Sequence, residues 1–177
     1  MNIYVVPLEL KNKSLLDYVV EELSLNFSEK ILVDNLQIPI DNARSANRQQ
    51  YFSTQIIANA MEKSSALNGK VLILTSLDLY VPALTYIFGE AQLNGKHSII
   101  SACRLHEEFY SGLSNESLLV ERTIKEALHE IGHNFGLKHC SDWDCVMHSS
   151  PGIEEVDIKG KFYCKNCQKA IPLKAGK

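Results

Sequence analysis

The stretch His129-Glu130-Ile131-Gly132-His133-Asn134-Phe135-Gly136-Leu137-Lys138-His139 sets three imidazoles and a carboxylate at the spacing H-E-x-x-H-x-x-G-x-x-H. Imidazole nitrogens ligate zinc, and a catalytic zinc takes three protein ligands while keeping a fourth position open. On a helix, His129 and His133 lie on one face about a turn apart, so both can reach one ion. Gly136 can adopt the left-handed backbone that ends a helix and turns the chain back. That turn would bring His139 to the same ion. Glu130, beside the first ligand, is placed to take a proton from a water at the metal. H-E-x-x-H alone can arise by chance on a helix; the five fixed positions of the longer pattern are far rarer. The chemistry implied is zinc-assisted hydrolysis, with Glu130 as general base and acid.

A second cluster follows at once. The last forty residues hold four of the five cysteines: Cys140 and Cys145, then Cys164-Lys165-Asn166-Cys167 as C-x-x-C. Two such pairs suit a closed structural zinc site of four thiolates. Disulfides are the alternative, and a reducing compartment disfavours them. The segment has few long apolar patterns, so bound metal would supply much of its stability. Neighbouring side chains of an extended chain point oppositely, so His139 and Cys140 can serve different metals. Two zinc ions are expected, one catalytic and one structural.

The helix that carries the histidines needs an anchor. At about 100° per residue, Val120, Ile124, Ala127, Leu128, Ile131 and Phe135 form one apolar stripe. His129 and His133 fall opposite it with Arg122 and Glu126, so the histidine face is expected to look away from the core into a polar space. Ser114 or Asn115 is the expected N-cap, after a loop over residues 106–115. Upstream, residues 2–8 read as a strand, and Leu15, Leu16, Val19, Val20 and Leu23 as a helix capped at Ser14. Ile31-Leu32-Val33 is a short strand. Phe52, Ile56, Ile57, Ala60 and Met61 mark a helix ended by Asn68-Gly69, and Val71-Leu72-Ile73-Leu74 a strand covered on both faces. This order calls for a largely parallel sheet with helical crossovers. Leu84–Leu93 and His97–Leu105 then flank Asn94-Gly95-Lys96, a hairpin signal. One strand should therefore run antiparallel at the sheet edge, where an extended peptide can pair with it. Such a peptide would lie antiparallel to Thr85–Gln92. Glu90, the acidic residue within that strand, would be able to pair with a free α-amine and favour aminopeptidase-like cutting.

The 177 residues, 45% hydrophobic and 22% charged, suggest one globular domain of two lobes sharing a cleft. Residues 1–136 would form an α/β subdomain ending in the metal-binding helix. Residues 137–177 would add the third histidine and the four-cysteine site. The formal charge of −3 lacks the basic footprint of a nucleic-acid binder. No apolar run is long enough to span a bilayer, and Met1-Asn2-Ile3-Tyr4-Val5-Val6 lacks the regions of a signal peptide. A cytoplasmic monomer acting on peptide or protein substrates is expected, with no nucleic-acid or membrane partner. Cys103 reads as a buried small residue within a strand. His97, His106 and His148 read as loop or surface histidines, and the Lys159–Lys177 tail as a basic solvated face.

The chain resembles the archaemetzincins, a branch of the metzincin clan of zinc metallopeptidases. His129, Glu130, His133, Gly136 and His139 carry the clan motif, and Cys140, Cys145, Met147, Cys164 and Cys167 match the archaemetzincin addition. A weaker likeness runs through Leu77-Asp78-Leu79-Tyr80 and Phe88-Gly89-Glu90-Ala91. The resemblance implies a metzincin-like α/β fold: a mixed, twisted, mostly parallel sheet with an antiparallel edge strand, plus a small zinc-stabilised C-terminal subdomain. It implies that Met147 forms the Met-turn beneath the catalytic zinc. Some metzincins place a tyrosine two residues after that methionine; here Ser149 stands there. Two other readings stay open at this level: a zinc-stabilised peptide-binding or regulatory protein with little turnover, and a SprT-like DNA-linked protease.

Overall fold

Alternating and continuous apolar runs in the first hundred residues build a sheet that serves as the platform for one long helix. The computed structural model describes residues 1–174. In chain order these form β1 (Asn2–Leu8), α1 (Ser14–Asn26), β2 (Lys30–Val33), β3 (Arg44–Ser45), β4 (Gln50–Phe52) and α2 (Ser53–Lys63). Next come β5 (Gly69–Thr75), β6 (Leu79–Tyr80), β7 (Gly89–Ala91), β8 (His97–Ser101) and α3 (Glu108–Ser111). The chain closes with α4 (Glu116–Asn134), α5 (Ile153–Ile158) and α6 (Lys165–Gln168). The main sheet has the order β2-β1-β5-β8-β7. β2, β1, β5 and β8 run parallel, and β7 pairs antiparallel with β8 at the edge. This is the mixed α/β arrangement that the sequence implied.

Val71-Leu72-Ile73-Leu74 is apolar throughout because β5 is covered on both faces. Leu72 and Leu74 pack with Leu15, Val19, Leu128 and Ile131 of α1 and α4. Val71 and Ile73 face Ile56, Ile57 and Ala60 of α2. β3, β4 and β6 make a small second sheet that the sequence reading did not foresee.

Several expectations need correction. α2 stops at Lys63, and Asn68-Gly69 opens β5 instead of ending the helix. The buried Ser64 hydroxyl is bonded to His97 Nε2 at 2.7 Å. His97 is therefore a core residue, only 3% exposed, and not a surface one. The run Leu84–Leu93 yields only the three-residue β7, because Ile87 N–H donates to Leu79 O of β6 at 3.0 Å and ties the preceding chain to the small sheet. β8 ends at Ser101, whose hydroxyl accepts from Cys103 N at 3.0 Å. Cys103 thus leaves the sheet for a half-buried 3-10 turn. The loop before α4 holds the one-turn α3.

The polar face of α4 borders the polar clefts that the histidine pattern implied, but it is more covered than an isolated helix face: Arg122, Glu126 and His129 are 2%, 3% and 5% exposed. The C-terminal segment wraps over that face. Arg122 bonds Asp157 at 2.7 Å and Glu107 at 2.8 Å. Lys159, expected to start a solvated tail, is fully buried and pairs with Glu126 at 2.8 Å. Residues 175–177 of the expected basic tail and C-terminal subdomain lie outside the described residues. Among the described residues no helix is long and apolar enough to cross a membrane.

Candidate active site and metal centres

Asn115 caps α4, its Oδ1 accepting from Leu118 N at 3.1 Å. Nineteen residues later the helix ends in a left-handed turn at Gly136, φ 94°. Leu137 N–H returns to Gly132 O at 3.0 Å and Gly136 N–H to His133 O at 2.9 Å, the paired bonds that close a helix on a glycine. The turn also serves chemistry. It points the Leu137 carbonyl back at His133, whose Nδ1 lies 2.7 Å away, and carries His139 round to the face holding His129 and His133. The β7–β8 hairpin clamps the same helix end: Asn94 N–H donates to His133 O at 2.8 Å, and Asn134 Nδ2 to His97 O at 2.9 Å.

His129 is oriented from the other side. Its Nδ1 lies 2.8 Å from Val146 O, in a turn closed by His148 N–H to Cys145 O at 2.9 Å. Met147 packs its sulfur against Gly132, where an added Cβ would stand 2.4 Å from Sδ. The turn can seat itself under α4 because that position lacks a side chain.

These contacts decide what the imidazoles can hold. A carbonyl oxygen only accepts, so these contacts favour the proton on Nδ1 in both His129 and His133; at His129 the 2.8 Å carbonyl contact is shorter than the 3.4 Å approach of Lys159 Nζ. Each Nε2 is left with a lone pair, yet the two Nε2 atoms stand 3.0 Å apart. Two lone pairs converge there, and His139 adds a third donor, with all three ligand atoms within 4.8 Å of one another. Tetrahedral zinc with Zn–N near 2.0–2.1 Å sets its nitrogens about 3.3 Å apart. The donor set fits such an ion. Protein groups alone already favour the neutral, ligating imidazoles. Burial, then the Lys159 charge, holds His129 far below the usual histidine range. Burial lowers His133, and burial with Lys159 lowers His139.

Glu130 is 5% exposed and bears on the cleft beside this trio. Burial, then the neighbouring Glu126 carboxylate, raises its carboxyl well above the usual range, against the opposing pull of Lys159. Gly89 of β7 lies directly against it: a Cβ there would be 2.7 Å from Glu130 Oε1. The edge strand and the carboxylate are in contact only because Gly89 has no side chain. Two clefts of about 420 and 360 Å³ open on either side of Gly89. One is lined by Leu84–Phe88, Glu126 and Ser149–Pro151; the other by Glu90, Ala91, Leu93, His133 and Lys138. His129, Glu130 and His139 border both.

The four late cysteines also meet. Their sulfurs lie within 4.8 Å of one another, and Cys140 Sγ is 3.8 Å from Cys164 Sγ. A disulfide needs about 2.05 Å, and all five cysteines are free thiols. Tetrahedral zinc with Zn–S near 2.3 Å sets its sulfurs about 3.8 Å apart, so this cluster fits that ion. Backbone N–H groups of the Cys164–Cys167 turn lower the Cys164 thiol to about 7, led by that of Cys167, while burial raises Cys145.

Every residue singled out in the two motifs is brought to one of these clusters. Sequence reasoning missed the carbonyls of Val146 and Leu137, the Gly89 contact, and the Glu126–Lys159 pair. Backbone carbonyls leave no mark in a sequence, and nothing links Lys159 to a glutamate thirty-three residues earlier.

An α/β fold with two histidines on a long helix and a third just past its end, an adjacent buried glutamate and an open edge strand defines a zinc metallopeptidase. Comparisons with known proteins make this specific. The profile of peptidase family M54 matches residues 15–172. The archaemetzincin of Methanocaldococcus jannaschii is 37% identical over 171 residues, covering 97% of this chain and 93% of that protein. The crystal structure of the archaemetzincin from Archaeoglobus fulgidus superposes with a TM-score of 0.80 at 32% identity, covering 97% of this chain and all of that one. That of a zinc-dependent peptidase from Methanocorpusculum labreanum gives 0.83 at 28% identity, covering 96% and 99%. The chain belongs to peptidase family M54, the archaemetzincins.

Proposed function

We propose that the chain hydrolyses peptide bonds with Glu130 as general base and acid, His129, His133 and His139 as ligands of a catalytic zinc, and Cys140, Cys145, Cys164 and Cys167 as ligands of a structural one. The observation that carries this reading is the convergence of two Nε2 atoms at 3.0 Å beside a buried carboxylate, each on an imidazole whose Nδ1 meets a backbone carbonyl. When bound, zinc supplies a Lewis acid that polarises the scissile carbonyl and acidifies water. Glu130 moves the proton. It takes it from the attacking water and hands it to the leaving amine; burial, which favours the protonated carboxyl, suits it to hold the proton between the two events. His129 and His133 are kept in one tautomer by Val146 O and Leu137 O. Residues 1–136 present the helix, and the chain after Gly136 closes over it with His139, Met147 and the thiols. Met147 against Gly132 supports a Met-turn, and with it membership of the metzincin clan.

The substrate is held as an extended strand along the outer edge of β7, antiparallel to it, with Gly89 bringing that edge against Glu130. The Glu90 carboxylate points to the other side of the sheet, where the hydroxyls of Ser53 and Thr54 donate to it. The amine-anchor role, and with it an aminopeptidase preference, draws no support from that placement. Digestion of a peptide library by zinc-loaded protein tests the function, with Glu130→Ala as control. Turnover should fall by about 10²–10⁴-fold in the variant at unchanged zinc content. Full activity in Glu130→Ala refutes the assignment.

A further inference from the structure

The 420 Å³ cleft before Gly89 is mixed in character. Leu84, Tyr86, Phe88 and Pro151 give it apolar walls. Glu126, one turn ahead of Glu130 on α4 and 3% exposed, lines it from the buried side. Glu126 Oε1 faces Lys159 Nζ at 2.8 Å but receives no aligned hydrogen bond from it. Ser150 Oγ, in the same lining, is also buried and without a partner. Buried polar atoms are almost always bonded, and a carboxylate can accept from several donors at once. Two unused acceptors in one cleft therefore point to a ligand that brings donors.

Position in the cleft follows from strand direction. β7 runs from Gly89 to Ala91, and residues 84–88 precede it. A peptide antiparallel to β7 lays its C-terminal half over those residues. We infer that this cleft receives the substrate side chain directly after the scissile bond and selects a long side chain ending in hydrogen-bond donors, arginine first and glutamine next. The stem packs on Tyr86, Phe88 and Pro151, and the tip donates to Glu126 and to Ser150 Oγ. Arginine leads because its planar fork offers several donors to a carboxylate at once. Glu126 and Ser150 are specificity residues here; the inference rests on the peptidase reading of the site and adds its substrate class.

The test uses two readouts. An alanine-based peptide carrying Arg, Gln, Met, Leu or Glu at one guest position is titrated into zinc-loaded Glu130→Ala protein, and the Kd is measured by calorimetry. A random peptide library is digested by the zinc-loaded wild type, and the residues flanking each cut are read by mass spectrometry. Binding reports whether or not any bond is cut, so loss of the preference and loss of the peptidase reading give different results. The guest Arg peptide should bind roughly tenfold or more tighter than Met, Leu or Glu, with Gln between, and Arg should directly follow the cuts. Glu126→Gln and Ser150→Ala, each added to the Glu130→Ala background, should narrow the Arg-to-Met ratio. Should Glu126→Gln fail to fold, Ser150→Ala and the unmodified profile decide. Tightest binding by Met or Leu, equal affinities, an Arg-to-Met ratio untouched by the variants, or Arg preceding the cut each overturn the inference.

Discussion

Gly89→Ala probes how closely the edge strand must approach Glu130, the proposed general base. The new Cβ would stand 2.7 Å from Glu130 Oε1, 2.8 Å from Glu130 Cγ and 2.9 Å from Ile99 O. Carbon contacts are comfortable near 3.5–4.0 Å, so roughly 0.7–1 Å of overlap must be relieved. Ile99 O belongs to β8, which pairs with both β5 and β7 and cannot yield. Glu130 is buried, so it must either shift by most of that overlap or push β7 away from α4. Overpacking of this kind costs about 1–3 kcal/mol. For a chain of this length that lowers Tm by about 2–4 °C per kcal/mol. The kinetic effect should be larger, because a 1 Å misplacement near the chemistry costs about 10²-fold in rate. kcat/KM on a quenched fluorescent peptide is expected to drop about a hundredfold, with zinc content by atomic emission unchanged at both sites. Near wild-type kcat/KM with an unchanged Tm would show that β7 and Glu130 are not in the tight contact described. Loss of zinc would show that the strand supports the ligands and not the base.

Three further outcomes are expected. A chelator should strip the histidine site first with little change in circular dichroism, since two of its three ligands sit on an apolar-packed helix; removing metal from the cysteine cluster should unfold residues after Gly136, and a single zinc per chain that resists chelation contradicts this. Lys159→Met should cost about 3–5 kcal/mol by stranding the buried Glu126 carboxylate, and adding Glu126→Gln should restore most of it in urea titrations; additive losses would show the pair is not coupled. His97 is held neutral, its value lowered from 6.5 to about 4 by burial and then by Lys96. The unfolded chain therefore binds more protons between those values, so the His97 contribution is full above pH 6.5 and lost as pH falls toward 4. His97→Gln should flatten the stability–pH curve by about 1–3 kcal/mol across that window; parallel curves for the two proteins would contradict the assignment.

The sequence by itself located the parts whose logic is local. Ligand type and spacing named His129, Glu130, His133 and His139, because four residues on a helix and a glycine-closed turn fix relative positions within a dozen residues. Thiol spacing did the same for the Cys140–Cys145 and Cys164–Cys167 pairs. Asn94-Gly95 located the hairpin that turns β7 antiparallel, and unbroken hydrophobicity marked β5 as the central strand. Tertiary structure decided what depends on distant parts of the chain. The amphipathic pattern of α4 set the histidine face toward a polar space, but a helical wheel cannot know that Asp157 and Lys159 will arrive to neutralise Arg122 and Glu126. His97 looked like a loop residue until Ser64 was brought against it. Leu84–Phe88 had strand-like composition, but pairing belongs to whichever partner offers free backbone groups, and β6 claimed Ile87. The lone pairs of His129 and His133 are aimed by two carbonyls, Val146 and Leu137. Every residue has a carbonyl, so only the fold could say which two would meet the imidazoles.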